Sequence, residues 1–244
     1  MRLADRRVSL SVVKDVVRLL ESERAMERQF AVEAKAEGDH PTGWPAALLL
    51  VHVATWREQL LDGLRQVERG GPPAHPPEDV DAFNAAELAR GAGVSLEDAA
   101  ARSDQALADL IELWKMMGDR PFAWYIARTT SEALVRNTYA HPRYHIAEHF
   151  IERGDPERGY QLYEETAAEL RRVGAPGHTL GTAVYNLARA RAGQGRRHDA
   201  LRLLEEAIPM RDDIRTLAAT DRGLEPLRDD PRFQSLVKGG GKRA

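Results

Sequence analysis

Asn137-Thr-Tyr-Ala-His141-Pro-Arg-Tyr-His145-Ile-Ala-Glu-His149-Phe150 sets three of the chain's eight histidines at four-residue intervals. Residues four apart share one face of a helix. At about 100° per residue, with His145 at zero, His141 and His149 fall about 40° to either side. Ile146, Ala147 and Phe150 fall between about 100° and 200°, on a largely opposite face. One helix therefore has imidazoles on one side and a packing surface on the other. Neutral imidazole is the commonest metal ligand, and two rings one turn apart grip an ion from one side. Thr138 shares the face of His141 and His145, and Asn137 and Tyr144 flank it. His141 and His145 are the expected ligands, and His149, one turn nearer Gly154, is expected at the rim or surface.

Around this helix the chain reads as helix almost throughout. Alanine, leucine, glutamate and arginine dominate, with no sustained β-branched alternation. Leu10, Val13, Val17, Leu20 and Phe30 make a helical stripe between Ser9 and Glu37, which Gly38-Asp-His-Pro-Thr-Gly43 breaks. Pro45 opens a second helix to Glu68, since a proline's missing N–H is no loss in a first turn. Gly70-Gly-Pro-Pro-Ala-His-Pro-Pro77 is a proline-rich connection with His75 as a solvated loop residue, and Asp81 to Arg90 forms a short helix. Ser95-Leu-Glu-Asp98 resembles a capping box for a third long helix to Met117, with Leu107, Leu110, Ile111 and Trp114 inward. Thr129-Thr-Ser-Glu132 gives a second box, leading into the histidine helix. Pro142 cannot donate to the carbonyl of Thr138, so a kink is expected there.

The 244 residues include 35 basic and 38 acidic side chains, a formal net charge of −3. That balance lacks the clustered basic excess of a nucleic-acid surface. Without cysteine, thiolate zinc sites, disulfides, cysteine-ligated iron–sulfur clusters and a cysteine nucleophile are excluded. Met1 to Arg7 is basic but not followed by a signal-like apolar core. Ala46 to Ala54 is too short to span a bilayer. A soluble cytoplasmic protein with neither nucleic-acid nor membrane partner is the expectation.

Val184-Tyr-Asn-Leu187-Ala188, then Gly195, Ala200, Leu204 and Ala207, have the offsets of the tetratricopeptide repeat, in which small residues let two antiparallel helices approach closely. Asp212 stands where that repeat usually has proline. Ile146, Ala147, Phe150, Gly154, Gly159 and Tyr163 form a weaker copy that would use the histidine helix as its first helix, with an insertion at Gly174-Ala-Pro-Gly177. Ala219 to Phe233 resembles the segment that closes such arrays, and Gly239 to Ala244 is expected to be disordered. The expected domains are a helical bundle over 1–153, a repeat-like region over 154–237 and a tail over 238–244.

Leu50-Val-His52-Val-Ala54-Thr-Trp56-Arg-Glu58 resembles the second helix of the DinB-like superfamily. Asp79-Val-Asp-Ala-Phe-Asn84 resembles the segment that often follows it. Asn137 to His145 resembles the superfamily's fourth helix, especially in the DfsB/ClbS-like branch. The resemblance spans residues 9 to 153. It implies an all-α fold: a DinB-like four-helix bundle, here followed by a short repeat-like array. It also implies a divalent metal, zinc or nickel, held by His52, His141 and His145, with open positions for water or substrate.

Related activities are thiol-dependent transfer or isomerisation, and hydrolysis that need not use metal, so a small electrophilic substrate is the expectation. Trp56, Asn137, Thr138 and Tyr144 are possible pocket residues. Glu58, six residues from His52, is a surface carboxylate beside Arg57 more readily than an acid or base. Two further readings stand beside this one. One is a non-enzymatic interaction module, with the repeat-like helices binding a protein partner or a second copy, or buttressing the bundle. The other is a metal-free small-molecule hydrolase.

Overall fold

The computed structural model describes residues 3–37, 44–72 and 76–238, with side chains from residue 15 onward. The break at Gly38–Gly43, the loop residue His75, the side chains of Leu10 and Val13 and the tail at 239–244 lie outside the described residues. Among the described residues the fold is all-α apart from one small hairpin. Two compact units divide between Gly154 and Asp155.

The first unit packs α1 (Leu3–Glu37), α2 (Ala46–Glu68) and α4 (Leu96–Met117) against a fourth helical rod. The short α3 (Val80–Gly91) rests on α2. The rod consists of α5 (Thr130–Leu134), a π-helical segment Val135–Ala140 and α6 (His141–Glu152). Ser95 caps α4 by accepting from the Asp98 N–H, and Thr129 caps α5 by accepting from the Glu132 N–H. Asp79 caps α3 in the same way through Ala82. Each satisfies an otherwise orphaned amide, an effect worth about 1 kcal/mol. Leu107, Leu110, Ile111 and Trp114 of α4 are buried against Leu50, Leu60 and Leu64 of α2.

The inward stripe of α1 is Val16, Leu19, Leu20, Glu23, Glu27, Phe30 and Ala34, whereas Val17 is only half-buried. Each of its two glutamates meets an arginine from another helix. Glu23 takes the Arg143 Nε at 2.6 Å and Glu27 takes the Arg57 guanidinium at 2.5 and 2.8 Å. Burial pushes the Glu23 carboxyl up, against the pull of Arg143.

Two features differ from the sequence reading. Residues Pro121–Trp124 (β1) and Ala127–Thr129 (β2) form an antiparallel hairpin, whose Phe122 and Trp124 turn inward while Pro121 and Ala123 face out. In place of a simple proline kink, the rod widens into π-helix before Pro142, which then sits in the first turn of α6 where its missing N–H is tolerated.

The second unit stacks α7 (Pro156–Arg172), α8 (Gly177–Gly193) and α9 (Arg197–Ala207). Ala183, Ala188, Ala200 and Ala207 are at most 1 % exposed, so the helices meet through small side chains. Gly195 turns the chain between α8 and α9 at φ 73°, a conformation costly for any residue with a Cβ. Then α10 (Ile214–Thr220), a 3-10 turn at Arg222–Leu227 and α11 (Pro231–Lys238) follow, burying Leu224, Leu227 and Phe233. Asp221 ties this end to α8, accepting from the Tyr185 hydroxyl at 2.6 Å and forming an ion pair with Arg189 at 3.0 Å.

Candidate metal centre

His52 lies in the first half of α2 among Val51, Val53 and Ala54, all buried. His141 and His145 occupy successive turns at the start of α6. The fold brings the three together. The Nε2 of His141 is 3.2 Å from the Nε2 of His52 and 2.9 Å from that of His145. One ring nitrogen from each residue lies within 4.8 Å of the others. An ion bound at 2.0–2.1 Å with tetrahedral angles separates its nitrogen ligands by about 3.3 Å, so the two short edges have the scale a metal requires. Among the described residues no carboxylate joins the group.

The electrostatics favour neutral rings. Burial, then the charge of His145, pushes His52 down to about 3. Burial, the other two histidines and the cations Arg136 and Arg57 hold His141 well below the ordinary imidazole range. Burial lowers His145 too, against the opposing pull of Glu148. Neutral rings keep the lone pairs that a metal needs. Metal-bound histidines ordinarily donate their other ring N–H to a fixed acceptor. The Nδ1 of His141 is buried and has no such partner among the described residues.

Aromatic rings flank the cluster. Trp44 stacks on His145, with ring centres 5.8 Å apart and planes 11° apart, and meets His52 edge-on at 5.3 Å. Trp56 lies 6.4 Å from His52 on the other side. A cavity of about 210 Å³ adjoins His145, lined by Trp44, Leu49, His145, Glu148, His149 and Glu152.

The residues read from the sequence as possible pocket residues lie as follows. Trp56 donates its Nε1–H to Asn84, and the Asn137 amide donates to the Trp56 carbonyl. Thr138 is fully buried and Tyr144 half-buried. Glu58 pairs with Arg102 at 2.5 Å, not with its neighbour Arg57, which points into the core. His149 is not at the surface. It is 4 % exposed, edge-on to Phe30 at 5.1 Å, with its Nδ1 3.2 Å from the Trp44 carbonyl. Helical angles alone placed it beside His145. Trp44 and Phe30, distant in sequence, cover it.

Sequence reasoning missed Trp44 and Arg57. Trp44 follows a glycine- and proline-containing break and belongs to no periodic stripe. Arg57 looks like one more charge on a charged helix.

The tetratricopeptide repeat family model matches residues 138–213. The C-terminal helices are tetratricopeptide-repeat-like. The match begins inside the π-helical segment and so takes in the helix that carries the histidines. Repeats of this kind stack into surfaces that bind other proteins. No curated protein and no solved structure matches the chain. No helix among the described residues is long and apolar enough to cross a membrane.

Proposed function

We propose that the first unit binds one divalent metal ion, zinc or nickel, through His52, His141 and His145, as the DinB-like resemblance implies. The observation that supports this most is the convergence of three Nε2 atoms from two helices, with His52 and His141 89 residues apart in sequence. Imidazole suits both metals. When bound, such an ion lowers the pKa of a water ligand and polarises substrate oxygen.

The chain's own contribution is to hold three rings at one point, keep them deprotonated by burial, and wall one side with Trp44. The cavity beside His145 has room for a small molecule, in keeping with a hydrolase or transferase acting on a small electrophile. Titration of chelator-stripped, untagged protein with Zn²⁺ and Ni²⁺ tests the reading. One site per chain is expected, lost in His52→Ala and in His145→Ala. Absence of uptake for both metals refutes it.

The family match over residues 138–213 favours a second, compatible role. The repeat-like helices serve protein contact, to a partner or to a second copy of the chain. Sedimentation of the full chain, alone and with candidate partners, tests this. A strict monomer with no partner would leave these helices a buttressing role.

A further inference from the structure

We propose that Arg57 is a positioning residue for the three-histidine cluster: its guanidinium holds the carbonyl of Thr138 and thereby fixes the turn of backbone that presents His141 to His52 and His145. The inference rests on reading that cluster as a metal site.

Arg57 follows His52 by five residues on α2 and is fully buried. Its Nη1 donates to the Glu27 Oε2 and the Ser103 Oγ, both at 2.8 Å. Its Nη2 donates to the Glu27 Oε1 at 2.5 Å and to the Thr138 carbonyl at 3.0 Å. One planar fork thus joins α1, its own helix α2, α4 and the π-helical segment. Burying an ion pair for stability alone gains little over apolar packing, since desolvation offsets the attraction. What apolar residues could not supply is a donor for the carbonyl of Thr138.

In the α-helical pattern that carbonyl would take its donor from residue 142, and Pro142 has no N–H to offer. The segment over Val135–Ala140 is π-helical, a rare geometry frequent at functional sites. His141 immediately follows it. The His141 Nδ1 has no partner among the described residues and its Nε2 meets the other two histidines, so the backbone sets how the ring reaches them. Arg57 grips that backbone one turn away. Its position on the helix of His52 couples the placement of the two ligands.

The test compares metal-stripped wild type with Arg57→Lys and Ser103→Ala. A lysine keeps the charge facing Glu27 but replaces the fork by a single ammonium. Ser103→Ala removes a different partner of the same guanidinium and controls for simple loss of stability. Zn²⁺ affinity is read by competition with a chromophoric chelator, and ligand geometry by the Co²⁺ absorption spectrum. Outer-shell changes typically weaken metal binding 10- to 100-fold, so Arg57→Lys should lose about tenfold or more in Zn²⁺ affinity and change the Co²⁺ bands. Ser103→Ala should keep both.

Wild-type affinity and spectrum in Arg57→Lys would overturn the proposal. Should that variant not fold, the double replacement Arg57→Met with Glu27→Met removes the pair without stranding a charge, and the same readouts decide. If wild type binds neither metal, the reading of the cluster fails on its own. Positioning is then decided by ring-to-ring NMR contacts among the three histidines and by amide exchange over Val135–Ala140. Their loss in Arg57→Lys supports the proposal and their persistence overturns it.

Discussion

Acidifying the metal-free protein should destabilise the first unit through His52, by an amount the structure sets. Burial pushes this imidazole from its ordinary 6.5 down to about 3. The folded state therefore binds the proton less readily than the unfolded chain, and the neutral ring's stabilising contribution, present above 6.5, is lost as pH falls towards 3. Between pH 7 and pH 5 the unfolded His52 goes from mostly neutral to mostly charged while the folded one stays neutral. Linkage gives a loss of about 2 kcal/mol, roughly 25-fold in the unfolding equilibrium. His141 and His145 shift in the same direction.

All four tryptophans, Trp44, Trp56, Trp114 and Trp124, lie in the first unit, so tryptophan emission during urea unfolding reports that unit alone. Wild type and His52→Gln are compared at both pH values with chelator present. Groups remote from His52 largely cancel in the difference. Wild type should lose about 2 kcal/mol more than His52→Gln. Equal losses in the two proteins would refute the argument that His52 is buried as a neutral base.

Other expectations follow from separate parts of the fold. Asp104 accepts bidentate bonds from both Arg24 and Arg28 at 2.8 to 3.0 Å, and these guanidinia hold its carboxyl well below the usual carboxylate range. Its folded pKa is depressed, so its contribution is lost as pH falls. Asp104→Asn should cost about 1 kcal/mol at pH 7 and flatten the acid side of the stability profile in urea titrations. Trp44 stacks on His145, so Ni²⁺ or Co²⁺ in the cluster should quench tryptophan emission, and Trp44→Phe should remove the larger part of that quench. Leu204 is fully buried in α9, and Leu204→Ala should destabilise the second unit by about 2–5 kcal/mol, read from helix melting by circular dichroism.

Local rules made much of the fold legible. Ser95 and Thr129 announced their helices because an N-cap is a contact within four residues of sequence. The face of Leu107, Leu110, Ile111 and Trp114 followed from period alone. His141 and His145 were legible in the same way, and His52 only through a resemblance, because nothing in periodicity joins positions 89 residues apart.

What escaped was non-local. Glu23 and Glu27 sit at core positions of α1 by spacing, but their acceptance there depends on Arg143 and Arg57 from other helices. Pro142 signalled a disturbed helix. That the disturbance takes the form of a π-helical turn, with its freed carbonyl taken by Arg57, depends on tertiary contact. The hairpin at Pro121–Thr129 was missed because two strands of four and three residues leave almost no periodic record. His149 was misplaced because its neighbours Phe30 and Trp44 come from remote segments.

The metal content of untagged protein, measured by elemental analysis on wild type, His52→Ala and His145→Ala purified side by side, tests the central claim most directly. The account predicts close to one zinc or nickel ion per wild-type chain and almost none in either variant. Wild-type protein that arrives without metal and takes up none from excess Zn²⁺ or Ni²⁺ would contradict it.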